Sequence, residues 1–232
     1  MDENELMGRL EEAQAVLFVH TYGTERGFDE LFGEIKKAKP EVAIIDDKCL
    51  CMIDASLNQN SLADLVLFST GAKKQIDLGS GGFGFVADTW DYYETKGNCC
   101  WMNCLDGNWQ DLLYIENGEL RFSDELCCRI NDMKSHRDTL NSIYKRNLPK
   151  EIQLPESFQR WRFNIWVENK DEVLQTLFSN GLFASGHYKP FDERCENSKD
   201  LFHHVINLFE DGYYTEDQAN RTCNLINGIL VG

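Results

Sequence analysis

The sequence predicts an α/β protein, with part of a mainly parallel sheet in its first half and a small α+β domain in its second half. In the first half, short and continuous apolar runs recur, separated by a helical pattern or by polar loops. Strands joined by such crossovers pair in parallel. In the second half, strand-like and helical patterns follow a long helix and a proline-marked connector. We therefore predict a large-domain portion over residues 1–118 and a connecting helix with a small domain over residues 119–232.

The elements of the first half follow from their apolar patterns. Residues 1–13 are typical of a polar leading helix, and the uninterrupted apolar run at residues 15–19 predicts a strand buried on both faces. Apolar side chains at helical spacing between residues 28 and 35 predict a helix, which Pro40 ends. Three further strands are predicted, at residues 42–45, 65–68 and 83–86.

The last part of the first half has no clear period. Residues 90–118 are rich in aromatic and cysteine residues and carry several turn signals. A helix is then predicted from residue 122 to about residue 147. Thr215 and Gln218 form a capping-box pattern that begins the last helix. Between these two helices the pattern predicts a strand at 161–167, a helix at 171–180 and a strand at 204–209.

The composition excludes several classes of function. The chain has 232 residues and a net charge of −16, which disfavours sequence-independent binding to nucleic acid and to anionic membrane surfaces. No apolar stretch is long enough to span a bilayer, and the acidic start is unlike a secretory signal. We therefore expect a cytoplasmic protein that has no nucleic-acid or membrane partner.

The cysteines indicate reduced thiols. There are nine of them, an odd number, and their spacing matches no disulfide framework. Cys99, Cys100 and Cys104 could be read as metal ligands, but no second cluster with zinc spacing follows, and the five histidines are scattered. We predict no metal site.

The segment from Ser69 to Gly82 carries the most chemical information. Ser69 follows a predicted strand, Lys74 lies five residues later, and a glycine cluster closes the loop. The preceding strand ends in Asp46 and Asp47. A lysine, an acid and a hydroxyl at the ends of neighbouring strands suit an aldehyde cofactor that carries a phosphate and a basic ring nitrogen.

These segments resemble the sugar aminotransferases of the DegT–StrS type, which are fold-type-I enzymes that use pyridoxal 5'-phosphate. The likeness runs from about Ala15 to the end of the chain, and its specific part is the stretch from Ser69 to Gly82. The resemblance implies a partial fold-type-I large domain followed by a small C-terminal domain. The remaining matching segments are Val19–Gly23, Ile44–Asp47, Asp64–Ser69 and Gly186–Pro190.

The resemblance also implies roles for three side chains. Lys74 would be the Schiff-base lysine, Asp47 would face the pyridine nitrogen, and Ser69 would bind the phosphate. Each has a simpler interpretation: an exposed loop lysine, a turn cap after a strand, and a common strand-end serine. The glycines Gly79, Gly81 and Gly82 are expected to permit tight turns rather than to touch a ligand. Three further residues are left open as site residues: His20, Tyr22 and His187.

As an activity, the resemblance implies transfer of an amino group from an amino donor to a keto nucleotide sugar, at the interface of a homodimer. Two departures qualify this expectation. Leu50 stands where the family has a polar residue, and Lys74 lies much closer to the start of the chain than in the family. We therefore expect a truncated product, a fragment or one half of a split enzyme, which is incomplete alone. Its partner would be a second copy or a complementary N-terminal chain. The alternative is a non-catalytic relative that keeps the fold and binds a partner. The absent first part of the large domain should leave apolar sheet surface uncovered, so the isolated chain is expected to be poorly stable or to self-associate.

Overall fold

A computed structural model describes residues 3–24, 27–53, 61–77, 79, 81–87, 113–116, 119–192 and 194–231. The chain divides into two compact units, residues 1–130 and 131–232. This division falls within a long helix, whereas the boundary that the sequence suggested lies before it, between residues 118 and 119. That boundary stays a prediction.

The first unit contains a four-stranded sheet in the order β1-β2-β3-β4. β1, β2 and β3 run parallel, and β4 is antiparallel to β3, so the prediction of a mainly parallel sheet is confirmed. The strands are β1 Ala15–Val19, β2 Ala43–Asp47, β3 Leu65–Ser69 and β4 Gly82–Val86; the helices are α1 Glu3–Arg9 and α2 Asp29–Ala38. An antiparallel pair follows, β5 Leu113–Glu116 and β6 Glu119–Phe122. β5 lies in the segment that showed no clear period, residues 90–118, and β6 comes directly after that segment.

The sheet of the first unit packs one of its two faces into a hydrophobic core. Val16, Phe18 and Ile44 point into a core that also contains Phe32 and Ile35 of α2. The phenyl rings of Phe18 and Phe32 meet edge to face, with their centroids 4.8 Å apart. Because side chains alternate along a strand, the residues between these positions point the other way. We call this other side the open face.

The exposure of the open face shows that one prediction, on the burial of β1, was wrong. The apolar run of β1 was expected to be buried on both faces, but Ala15, Leu17 and Val19 are exposed. The physical reason is that, among the described elements, only the core face of β1 has a packing partner. An apolar run therefore indicated a strand correctly but did not show what covers its second face.

A long helix, α3 Asp124–Asn147, begins in the first unit and ends in the second. The second unit contains a three-stranded antiparallel sheet in the order β7-β9-β8, as expected for a small α+β domain. Its core includes Leu140, Phe163, Leu177 and Ile206, all almost fully buried. The strands are β7 Phe163–Trp166, β8 Ala184–Gly186 and β9 Val205–Leu208; the helices are α4 Lys170–Ser179, α5 Glu196–His204 and α6 Glu216–Val231.

No helix in the described ranges is long and apolar enough to cross a membrane.

Candidate functional site

Asp47 and Ser69 end two neighbouring parallel strands. Asp47 is the last residue of β2 and lies beside Leu67 of β3, and Ser69 is the last residue of β3. Side chains alternate between the two faces of a strand, and Asp47 and Ser69 fall on the same face as Leu17 and Leu67. Their side chains therefore point to the open face. In open α/β sheets, ligands bind outside the carboxyl ends of the strands. The structure therefore brings two of the three predicted site residues to a position where a ligand can reach them.

The carboxylate of Asp47 is held by the turn that follows β2. The backbone N–H of Cys49 donates to Asp47 Oδ1 at 2.9 Å. This is the turn cap that was one interpretation of Asp47. The side chain is nevertheless only half-buried, so capping a turn and facing a ligand are compatible.

The thiol of Cys49 interacts with both Asp47 and Lys74. Burial, a hydrogen bond from its thiol to Asp47 and the negative charge of that carboxylate raise the pKa of Cys49 to about 12, while the positive charge of nearby Lys74 opposes the shift. The thiol therefore stays protonated at neutral pH and acts as a hydrogen-bond donor. Cys49 was not among the predicted site residues. Its only sequence signal is its place two residues after the acid.

Lys74 lies in a tight turn that is tied to the loop after β2. The N–H of Lys74 donates to the carbonyl of Gly71 at 3.1 Å, and Lys73 occupies the left-handed region with φ of 63°. The amide of Gln75 donates to the carbonyl of Leu50 at 3.0 Å and so fixes the turn beside the end of β2. Lys74 is half-buried and Lys73 is exposed. Lys73, which was expected to be the more solvated of the two lysines, is indeed the more exposed one.

The glycines of the loop allow its backbone geometry. Gly79 and Gly81 have φ of 85° and 82°, values that disfavour other residues. A Cβ on Gly82 would lie 2.3 Å from the carbonyl oxygen of Phe68, so only glycine permits this approach of β4 to β3. These contacts agree with the expectation that the glycines serve the turn.

The hydroxyl of Ser69 is oriented by the same loop. Its Oγ accepts a hydrogen bond from the N–H of Gly71 at 3.3 Å and donates to the carbonyl of Gly81 at 3.5 Å. Both contacts lie at or beyond the long end of the usual range. Losing these two long hydrogen bonds in order to bind a stronger acceptor would therefore cost little free energy.

His20 lies on the opposite, core face of the same strand end. Its Nε2 lies 2.6 Å from Asp46 Oδ1 and its Nδ1 lies 2.6 Å from the carbonyl oxygen of Thr24, and both His20 and Asp46 are buried. Both ring nitrogens thus face acceptors, and only an imidazolium can donate to both. Burial alone would lower the pKa of His20, but the hydrogen bonds, led by that to Asp46, raise it to about 10.

His20 is therefore a satisfied core histidine, the second of its two interpretations. Tyr22, also left open as a site residue, is buried with φ of 60°. His187 belongs to the second unit, where its N–H donates to the carbonyl of Val205 at 3.2 Å, and burial lowers the pKa of its ring. Its role in the site stays a prediction.

The described residues contain no group of three or more His, Cys, Asp or Glu side chains that could hold a metal ion. The described cysteines are free thiols. Cys99, Cys100 and Cys104, the cluster weighed as metal ligands, lie outside the described residues.

Solved structures of sugar aminotransferases have the same fold. A DegT DnrJ EryC1 StrS aminotransferase from Brucella abortus matches with a TM-score of 0.65 and 16% identity, over 99% of this chain and 70% of that chain. The putative sugar aminotransferase Spr1654 from Streptococcus pneumoniae, in its PMP form, gives 0.67 and 16% over 99% and 72%. Helicobacter pylori PseC, an aminotransferase involved in the biosynthesis of pseudoaminic acid, gives 0.66 and 16% over 98% and 70%.

The sequence itself matches no family model and no curated protein. At this level of identity the structural likeness concerns the fold. The chain has the fold of the DegT–StrS type sugar aminotransferases, and the resemblance read from its sequence is confirmed at that level. The chain spans about 70% of the length of these proteins.

Proposed function

We propose that this chain forms the core of a pyridoxal-phosphate-dependent aminotransferase that acts on a keto nucleotide sugar with an amino donor. The observation that carries the proposal is the set formed by Asp47, Cys49 and Lys74 beside Ser69, at the carboxyl ends of β2 and β3. The solved structures with the same fold support it, since their titles describe sugar aminotransferases in PLP and PMP forms. The free thiols and the acidic composition support a cytoplasmic location.

The residues at the strand ends fit this cofactor. Lys74 would hold its aldehyde group, Asp47 its ring nitrogen and Ser69 its phosphate. The fit rests on three features. The carboxylate of Asp47 and the hydroxyl of Ser69 lie on the open face, and both side chains are only half-buried. In addition, the positive charge of Lys74 opposes the rise in the pKa of Cys49, whose thiol contacts Asp47. When bound, pyridoxal phosphate supplies a ring that accepts electrons from the carbon next to the transferred nitrogen.

The side chains of the set have separate tasks in this proposal. Asp47 keeps a negative charge at the strand end, which favours a protonated ring nitrogen. The thiol of Cys49 and its backbone N–H orient that carboxylate. Lys74 Nζ takes and returns the proton at the substrate carbon. Leu50 offers no polar side chain at its position, and its carbonyl accepts a hydrogen bond from the amide of Gln75.

Cofactor binding is tested with pyridoxal phosphate and borohydride on the whole chain. We expect absorbance in the near-visible and, after reduction, one pyridoxyl-labelled peptide that contains Lys74. Lys74→Ala should abolish the label, while the matched variant Lys73→Ala should keep it. Asp47→Ala should retain the label but lose amino transfer, because the ring nitrogen loses its charge partner. Diffuse labelling of many lysines in the wild type, both alone and with a complementary N-terminal chain, would refute the proposal.

A second candidate function is favoured by the open face. The chain could be a non-catalytic relative that keeps the fold and binds a partner chain, as the exposure of Leu17 and Val19 suggests. A complementary N-terminal chain would then restore the label on Lys74 if the chain is part of an enzyme. A partner that binds without restoring any label would favour the non-catalytic role.

A further inference from the structure

Lys170 is a lysine in an unusual place in the second unit. It is the first residue of α4 and is only 8% exposed, whereas lysine side chains almost always lie in solvent. A positive charge is also unfavourable at the start of a helix, because that end carries the positive end of the helix dipole. Burial and position both weigh against a lysine here, so the stability of α4 is not the reason for it.

The ammonium group of Lys170 is held by α5. Its Nζ donates a hydrogen bond to the carbonyl of Phe202, in the last turn of α5, and lies 4.6 Å from the centroid of the Phe202 ring. The last carbonyls of a helix and the face of an aromatic ring both attract a cation. Burial lowers the pKa of Lys170, and the charge of Asp171 opposes this effect. The contacts with Phe202 thus fix a charged group in a buried position.

The same ammonium group packs against the backbone of Gly186, the last residue of β8. A Cβ at Gly186 would lie 2.9 Å from Nζ of Lys170 and 3.1 Å from its Cε, so the missing side chain makes room for the lysine. His187 follows directly, and its N–H donates to the carbonyl of Val205 at 3.2 Å. The charge of Lys170 therefore lies beside the start of the segment Gly186–Pro190, which carries part of the resemblance.

The ring of His187 responds to this charge. Burial, and then the positive charge of Lys170, lower the pKa of His187 from its ordinary value of 6.5. Glu168 pairs instead with His204, at 3.4 Å. Lys170 is the charge that shifts His187. The other charged or titratable groups on the adjoining ends of α4 and α5 and along the segment are Glu168, Asp171, Tyr188, Lys189, His203 and His204.

We infer that Lys170 is a positioning residue that keeps the ring of His187 uncharged where the segment Gly186–Pro190 meets a ligand. A neutral imidazole has one ring nitrogen that accepts a hydrogen bond or a proton, whereas an imidazolium only donates. An uncharged His187 can accept a hydrogen bond from a hydroxyl group of the keto nucleotide sugar. This role rests on the proposed function, whereas the charge of the ring is a property of the chain alone.

Nuclear magnetic resonance of the imidazole protons measures the titration of His187 in the whole chain, and His187→Gln identifies the signal. We expect a midpoint below 6.5 in the wild type. Lys170→Met removes the charge and keeps a long side chain, so the midpoint of His187 should rise. Lys150→Met is the matched control, because it removes the charge of an exposed lysine in the same unit and should leave the midpoint unchanged.

Gly186→Ala tests the geometry even if Lys170→Met does not fold. The new Cβ meets the far end of a flexible side chain, which can move, so the fold is kept and Nζ is displaced from the backbone beside His187. The midpoint of His187 should again rise. Circular dichroism shows that each variant is folded. If Lys170 were only structural, the variants would lose thermal stability and the midpoint of His187 would stay the same.

Activity gives a second measurement on a chain that transfers amino groups, with its N-terminal complement if one is needed. The acid side of the pH profile of kcat/KM should follow the midpoint of His187 and move with it in Lys170→Met.

Three results would overturn the inference: a wild-type midpoint of His187 at or above 6.5; a midpoint that neither folded variant raises; or an acid limb that stays in place when the midpoint moves. Failure of the labelling test on Lys74 would remove the proposed function but leave the titration of His187 as expected, so the two failures are distinguishable.

Discussion

The buried pair of His20 and Asp46 allows a quantitative prediction about stability and pH. The pKa of His20 is raised from 6.5 to about 10 in the folded chain. Each unit of pKa shift corresponds to about 1.4 kcal/mol, so the protonated ring stabilises the fold by up to about 5 kcal/mol. Because the folded pKa is the higher one, this contribution is complete below pH 6.5. It is lost as the pH rises from 6.5 through about 10.

The perturbation is Asp46→Asn, which keeps the shape of the side chain and removes its charge. The ring of His20 then keeps the burial that lowers its pKa, and the weaker opposing contacts with Cys51 and with the carbonyl of Thr24. Loss of one partner of a buried pair costs about 3–5 kcal/mol. We therefore expect a loss of about 3 kcal/mol at pH 6, and a smaller difference between variant and wild type at pH 10.

Two assays check this prediction. Denaturant unfolding at several pH values gives the free energy of unfolding, and nuclear magnetic resonance of the imidazole protons gives the pKa of His20 directly. The His20 signal is identified by its absence in His20→Gln. Asp47→Asn is the matched control, because Asp47 lies one residue away on the opposite face and should leave the titration of His20 unchanged. A midpoint for His20 at or below pH 7 in the wild type would refute the reasoning.

Two further predictions concern other parts of the chain. Burial raises the pKa of Glu210 to about 8, so the second unit should lose stability as the pH rises from 4.5 to 8; Glu210→Gln should flatten this dependence in thermal unfolding. Gly82→Ala should destabilise the first unit by about 1–3 kcal/mol, because its Cβ would meet the carbonyl of Phe68. Gly228→Ala in α6 has open space and should stabilise by about 0.5–1 kcal/mol in the same denaturant titration, and a loss there as large as at Gly82 would contradict the steric argument.

Local patterns in the sequence predicted most elements of the fold. β1 was predicted with its observed bounds, Ala15–Val19. The capping box is formed as expected: the N–H of Thr215 donates to Gln218 Oε1 at 2.8 Å, and the N–H of Gln218 donates to Thr215 Oγ1 at 3.2 Å. Four short elements were missed, namely β5, β6, β8 and α5. The three residues of β8 are too few to show alternation, and α5 is largely polar.

The candidate site was predicted only in part, because spatial neighbours leave little trace in sequence. The strand ends placed Asp47 and Ser69, since parallel strands bring their carboxyl ends together. The anchoring of the Lys74 turn by Gln75 depends on a contact across 25 residues, and the pairing of His20 with Asp46 on a contact across 26. Neither contact produces a periodic pattern in the local sequence. The burial of β1 on both faces was predicted wrongly, because an apolar run does not show what packs against each face of a strand.

The two adjacent acids at the end of β2 have opposite surroundings, and this makes the strand sensitive to changes in its length. Asp46 is paired with His20 in the core, and Asp47 faces the open side beside Cys49. Inserting or deleting one residue within β2 would exchange the two faces. The ring of His20 would then lose its acceptor, and the candidate cofactor would lose its acid, in a single event. Length variation among relatives of this chain should therefore be confined to the loops on either side of β2.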